Sequence, residues 1–250
     1  MECYTEFAYL YDTFMEDVPY DKWADLLSCL IKQYGENTRT VLDLGCGTGT
    51  LTLKLSEMGF DVTGVDNSQD MLSVADSKAF ENDKDILFIN QDMRTLDLIE
   101  KQDCIVSVCD CINYLVLDED VLDTFGSVKN CLNRDGLFIF DFNTVYKYET
   151  VIGDTTIAEN RGDCSFIWEN FYSPDDHINE YDVTFFKKVS DEEDGLFKRF
   201  EETHIQRAYT LEEMKMFILK AGFRFITAID EETGKEPTDR SERIYMVCRK

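Results

Sequence analysis

Apolar residues recur at helical spacing near the start of the chain: Phe7, Leu10, Tyr11 and Phe14, then Trp23, Leu26, Leu27, Leu30 and Ile31. Steps of three and four put each group on one face, which predicts two helices within residues 6–34. Asp17-Val18-Pro19-Tyr20 separates them, because a proline inside a helix removes a hydrogen bond and clashes with the preceding turn. From residue 38 the pattern alternates. Short apolar runs (Val41–Leu44, Val62–Val65, Ile86–Ile89, Leu137–Phe140) are interleaved with helical patterns such as Val121, Leu122, Phe125 and Val128. That alternation predicts an α/β fold with a doubly wound parallel sheet.

The period changes again at about residue 150. Ser165–Tyr172 and Glu180–Phe186 are β-rich, with turn signals at Ser173-Pro174-Asp175-Asp176 and Asp191-Glu192-Glu193-Asp194-Gly195. They predict an antiparallel insert of about four strands after the fifth strand, with the acidic run as a solvated hairpin tip. The expected organisation is a helical extension or lid over 1–37, an α/β domain over 38–149 and 207–250, and a β insert over 150–206.

The chemistry is concentrated where the first strand ends. Val41-Leu42-Asp43-Leu44-Gly45-Cys46-Gly47-Thr48-Gly49-Thr50 carries three glycines at alternate positions between a strand and a helix. Such a junction lies at the carboxyl edge of an open sheet, where nucleotide-like ligands bind. A dinucleotide loop needs G-x-G-x-x-G to receive a pyrophosphate; here the sixth position is Thr50. Asp43 before the glycines suits a cationic or amine-bearing ligand. Asp66 ends the next strand, where a carboxylate can accept hydrogen bonds from both ribose hydroxyls. Asp92 ends the third, within reach of an adenine amino group.

These motifs resemble those of the class I S-adenosylmethionine-dependent methyltransferases. Asp43-Leu44-Gly45-Cys46-Gly47-Thr48-Gly49 is similar to their first motif, Val65-Asp66 to the ribose-binding step and Gln91-Asp92-Met93 to the adenine-binding step. Leu137–Asp141 resembles their fifth strand, and Tyr209–Met214 with Ala221-Gly222-Phe223 their last helix and sixth strand. The resemblance implies a Rossmann-like seven-stranded sheet and S-adenosyl-L-methionine as cofactor. It places Asp43, Gly45, Cys46, Gly47, Gly49, Asp66, Asn67, Asp92, Met93 and Asp110 around that cofactor.

Asp110 and Tyr114, in the segment after strand four, are the candidate catalytic residues, together with Tyr11 from the N-terminal helix. In small-molecule members a tyrosine from that region often lies over the cofactor. Asp110 is the leading candidate for a base or ligand contact, against a bland reading as a turn cap; Asn113 and Tyr114 are equally loop-fixing candidates. His177 and His204 can act as bases near neutral pH, but a surface or strand-packing role is expected for each. Arg207 and Tyr209 are candidates for contact with an acidic acceptor, or else a salt bridge and a core ring. No Asn/Asp-Pro-Pro-aromatic run follows strand four, unlike members acting on exocyclic amines of bases or on glutamine amides, and no Pro-Cys nucleophile occurs. Asp110, Asp141 and Asn143 are similar to a Mg²⁺ set, but Phe142 separates the last two, so no metal is expected.

Composition narrows the partners. With 51 acidic and 25 basic residues the net charge is −26, and no basic cluster exceeds a pair. Gripping a phosphate backbone ordinarily takes a basic face, so nucleic acid is disfavoured. No apolar stretch is long enough to span a membrane, and Met1-Glu2-Cys3-Tyr4-Thr5-Glu6 does not resemble a signal peptide. Nine cysteines without a C-x-x-C pair suggest reduced thiols and a cytoplasmic location. The expected protein is a monomeric or homodimeric methyltransferase acting on nitrogen or oxygen of a small-molecule acceptor. A tRNA or protein methyltransferase, and a non-catalytic cofactor-binding regulator, stay open as alternatives.

Overall fold

The computed structural model describes residues 3–189 and 195–250, with the side chains of 3–7 and 9 left aside. The acidic run at 191–194 and the side chain of Phe7 therefore lie outside the described residues. Helices α1 (Cys3–Phe14) and α2 (Tyr20–Tyr34) flank the expected break at Pro19.

A sheet follows, built from β1 (Thr40–Leu44), β2 (Asp61–Asp66), β3 (Leu87–Asn90), β4 (Gln102–Ser107) and β5 (Leu132–Asn143). These are connected by α3 (Thr50–Glu57), α4 (Gln69–Glu81) and α5 (Asp118–Cys131). The insert consists of β6 (Thr156–Arg161), β7 (Cys164–Ser173), β8 (Ile178–Lys188) and β9 (Phe197–Arg207). The chain then closes with α6 (Leu211–Lys220), β10 (Arg224–Asp230) and β11 (Arg243–Arg249).

The seven-stranded sheet has the order β3-β2-β1-β4-β5-β11-β10. The first five strands pair in parallel, and β11 runs antiparallel between β5 and β10. Strand order reverses between β1 and β4, the switch point at which an open sheet leaves a crevice beyond its carboxyl ends. Val41, Leu42 and Leu44 are fully buried, as a central parallel strand covered on both faces requires. One face packs α5 and α6 through Phe125, Phe138, Phe140, Met214 and Phe217. The other packs Leu27, Leu30 and Ile31 of α2 with Leu51 and Leu55 of α3. Helix α2 is thus a layer of the core; of the two N-terminal helices, α1 is the one that packs on the insert.

The inserted sheet is antiparallel throughout, in the order β6-β7-β8-β9. Side chains alternate faces along a strand, so its register sets one face in rows. Phe166, Phe185 and Phe200 form one row, and Trp168, Val183 and Glu202 the next. Asn170, Tyr181 and His204 follow, then Tyr172, Asn179 and Gln206. Leu10 and Phe14 of α1 pack on the phenylalanine end, with Phe14 4.9 Å from Phe166 and 5.0 Å from Phe185 between ring centroids.

Candidate active site

The loop between β1 and α3 turns on three glycines in the left-handed region, Gly45, Gly47 and Gly49 at φ +81°, +54° and +74°. At Gly45 a Cβ would lie 2.5 Å from Cys111 Sγ, so the backbone must pass without a side chain. At Gly47 a Cβ would meet nothing within 4 Å, and this residue borders the cavity. Asp66, at the tip of β2, fixes the loop from opposite: Oδ2 accepts from Gly47 N at 2.8 Å and Oδ1 from Ser68 N at 2.8 Å. Asp43 is buried with Oδ2 accepting from Thr52 Oγ1 at 2.6 Å, and burial pushes its carboxyl up to about 6. Burial likewise raises the Cys46 thiol.

Asp43, Gly45, Cys46, Gly47 and Asp66 line a cavity of about 1140 Å³, which Asn67, Asp92, Met93 and Asp110 also border. Gly49, expected beside them, does not border it and instead lies against Ala75 of α4, where a Cβ would come within 2.9 Å. Pockets for drug-sized ligands measure about 300–1,000 Å³, so donor and acceptor can share this one. Asp92 is held by Arg94, which donates from its backbone N (2.9 Å), Nε (3.0 Å) and Nη2 (2.6 Å), and this lowers the Asp92 pKa.

After β4 the chain passes through two successive non-glycine residues with positive φ, Cys109 at +65° and Asp110 at +53°. Such conformations persist only where the surroundings enforce them. Here Asp141, buried on β5, accepts from Cys109 N at 3.0 Å and Asp110 N at 2.9 Å. Arg243, from β11, donates to Asp141 Oδ2 and Asp110 Oδ1, both at 2.7 Å. Asp110 Oδ2 also accepts from Gln206 Nε2 at 2.8 Å. Its side chain makes no cap bond, so the bland expectation of a turn cap is not met. Both Asp110 oxygens are held by donors, an arrangement that favours an orienting carboxylate over a base. Asp110 and Asp141 share the Arg243 guanidinium.

Asn113 is a loop-fixing residue. Its amide donates to Asn143 O (3.0 Å) and Arg207 O (2.7 Å) and accepts from Asn143 N (2.8 Å). Tyr114 borders the cavity, and its hydroxyl lies 2.8 Å from Tyr181 Oη and 3.1 Å from His204 Nδ1. Desolvation at the cavity wall, reinforced by Tyr181 and Asp110, holds the Tyr114 phenol well above its ordinary pKa, hence protonated, although the residue as a whole is 44% exposed. Tyr11 borders the same space, its phenol also raised by burial.

His204 packs across strands, stacking on its β8 partner Tyr181 at 4.8 Å, and it also borders the cavity, with Nε2 3.2 Å from Glu202 Oε2. His177 lies in the β7–β8 turn at φ +56°. Arg207 pairs with Asp118 and Glu213 at 2.6 and 3.1 Å, and the Tyr209 hydroxyl donates to Leu115 O, so these are a salt bridge and a core ring. Among the described residues, Cys29, Cys46, Cys104, Cys109, Cys111, Cys131, Cys164 and Cys248 are free thiols.

Residues 41–136 match the methyltransferase domain family. A protein of Geobacillus sp. (strain WCH70) named as a methyltransferase is 36% identical, over 99% of this chain and 99% of its own. A solved S-adenosylmethionine-dependent methyltransferase from Clostridium acetobutylicum ATCC 824 is 30% identical, with TM-score 0.87 and 99% of each chain covered. The chain belongs to the class I S-adenosylmethionine-dependent methyltransferases. At 16% identity, the sugar N-methyltransferase KedS8 from Streptoalloteichus sp ATCC 53650 shares the fold of this methyltransferase, with TM-score 0.76 over 96% and 93% of the two chains.

S-adenosylmethionine is the methyl donor of this methyltransferase, and the residues present fit it. Gly47 leaves open the space a side chain would fill, and Asp66 stands at the strand tip where ribose hydroxyls can be met. The acidic residues Asp43 and Asp110 suit a molecule carrying a sulfonium and an ammonium. Several residues of the methyltransferase site escaped the sequence reading: Arg243, Gln206, Tyr181 and Glu202. One signal was available for part of them. In a strand, Glu202, His204 and Gln206 fall on one face because they are two apart.

Proposed function

We propose that this methyltransferase transfers a methyl group to a nitrogen or oxygen atom of a small molecule held between the Gly45–Gly49 loop and the inserted sheet. The observation that carries this reading is the single cavity bordered by both, with Gly47 and Asp66 at one end and Trp168, Tyr181 and His204 along another wall. A concave site of this volume suits a small acceptor better than a macromolecular one. The fold shared with a sugar N-methyltransferase is an analogy in the same direction. The net charge of −26 argues against a nucleic-acid acceptor. We place the protein in the cytoplasm as a monomer or homodimer; the free thiols fit a reducing compartment.

When bound, the donor supplies an activated methyl group on a sulfonium; the chain has to align the acceptor and take its proton. In our reading Asp43, Gly45, Cys46, Gly47, Gly49, Asp66, Asn67, Asp92 and Met93 form the donor end. Asp110 orients ligand at the junction, and Tyr11 covers it from α1. Tyr114 receives the acceptor proton while its own hydroxyl proton passes to His204 Nδ1, 3.1 Å away. A radiolabelled methyl-transfer screen against a metabolite extract, with tRNA and protein pools in parallel, tests the reading. Label appearing in small molecules supports it, and label confined to tRNA or protein overturns it.

A further inference from the structure

On the inner wall of the inserted sheet stands a carboxylate with one empty position. Glu202 borders the cavity, yet its side chain is only 8% exposed. Oε2 meets His204 Nε2 at 3.2 Å, whereas Oε1 is buried with no hydrogen-bond partner. A buried carboxylate oxygen left in that state costs free energy until a donor reaches it. The cavity's cations are engaged elsewhere. Arg94 is held by Asp92 and Asp120, Arg243 by Asp110 and Asp141, and Lys147 by Asn143 Oδ1 at 3.0 Å. Trp168 Nε1, in the same cross-strand row as Glu202, is likewise buried without a partner.

We propose that Glu202 is the anchor of the acceptor, and that the acceptor is an amine bearing an apolar or aromatic group. The proposal rests on the methyltransferase reading above and narrows its acceptor from nitrogen or oxygen to an amine. The ammonium takes the open Oε1 position, where a carboxylate favours a cation over an alcohol and repels an anion. The apolar group lies toward Phe166 and Phe185, one row further along the same face, at the edge left beside Phe14 of α1, which packs on both rings and borders the cavity with them. Same-face rows are about 7 Å apart along a strand, which fits a spacer of about three carbons between nitrogen and ring.

Calorimetric titration of the full chain loaded with S-adenosylhomocysteine tests this, with 3-phenylpropylamine as probe. The controls are 3-phenylpropanol, 3-phenylpropanoate and propylamine. The amine should bind at least tenfold more tightly than the alcohol, the acid or the ringless amine. Glu202→Gln should abolish its preference over the alcohol while S-adenosylhomocysteine affinity stays within twofold. Equal binding of amine and alcohol, no measurable amine binding, or an unchanged preference in Glu202→Gln would overturn the proposal. The ligand comparison on the unaltered chain decides even where the variant does not fold. Failure of S-adenosylhomocysteine itself to bind would instead overturn the methyltransferase reading, and the anchor with it.

Discussion

Arg243 Nη1 donates to Asp141 Oδ2 at 2.7 Å, joining β11 to β5 through two buried side chains. The same guanidinium reaches Asp110 at 2.7 Å, and its plane lies over Trp23 of α2 at 5.2 Å from the ring centroid. It therefore ties the sheet and α2 to the loop after β4. Breaking a buried pair by removing one partner costs about 3–5 kcal/mol, because the remaining charge is stranded. Arg243→Ala should lose that much in urea unfolding, since two carboxylates lose their cation. A loss below about 1 kcal/mol, the range of an exposed pair, would show that Arg243 does not hold the loop.

Asp43 makes stability depend on pH. Its carboxyl is raised by burial from 3.8 to about 6, so the folded state favours the neutral form. That contribution is complete below pH 3.8 and lost as pH rises through 6, at a total of about 3 kcal/mol. Asp43→Asn lacks this loss. Without cofactor, its stability relative to the native chain should improve by about 1–2 kcal/mol between pH 5 and 7.5. Denaturant titrations at the two pH values measure the gap, and a flat gap would contradict the burial of an ionisable Asp43.

Two glycines of one loop should respond differently to alanine. Gly45→Ala drives a methyl group into Cys111 Sγ at φ +81° and should destabilise the fold by several kcal/mol. Gly47→Ala meets no protein atom and should cost only about 1–2 kcal/mol, the penalty of a left-handed alanine. Its methyl group would, however, occupy the space beside Asp66 that the donor needs. Thermal melts with and without S-adenosylmethionine separate the effects: Gly47→Ala should fold but lose the ligand-induced rise in Tm. A full rise would place the donor elsewhere.

Asp12 links α1 to the glycine loop. Oδ1 accepts from Thr48 Oγ1 at 2.6 Å, and Oδ2 pairs with Lys78 of α4 at 2.7 Å. Partly exposed pairs contribute about 1 kcal/mol or less, so Asp12→Ala should barely change global stability. Hydrogen exchange in α1 should nevertheless rise, and S-adenosylhomocysteine should dissociate faster. Unchanged exchange would mean that Leu10 and Phe14, packed on the insert, hold α1 by themselves.

The fold and the glycine loop with its strand-tip carboxylates could be read from the chain because their signals are local. Period-two and period-3.6 apolar patterns fix strands and helices wherever one face must be buried, and they marked β1, α5 and the antiparallel insert. Three glycines at alternate positions and carboxylates at strand tips announce a ligand because few other side-chain sets permit that backbone path. The opposite wall of the cavity was not legible in that way. Its residues come from α1, the turn after β4, and β7 to β9, and their chemistry arises on contact: Tyr114 with His204, 90 positions apart, and Asp110 with Arg243, 133 apart.

By itself the sequence determined the class of fold, the identity of the methyl donor and the existence of an insert, since each follows from neighbours along the chain. Only the tertiary structure decided that Asp110 is held rather than free, that His204 faces the cavity, and that Glu202 Oε1 waits there without a partner. The physical reason is that hydrogen-bond occupancy and burial depend on which distant strands meet, and no periodicity in a single segment encodes that meeting.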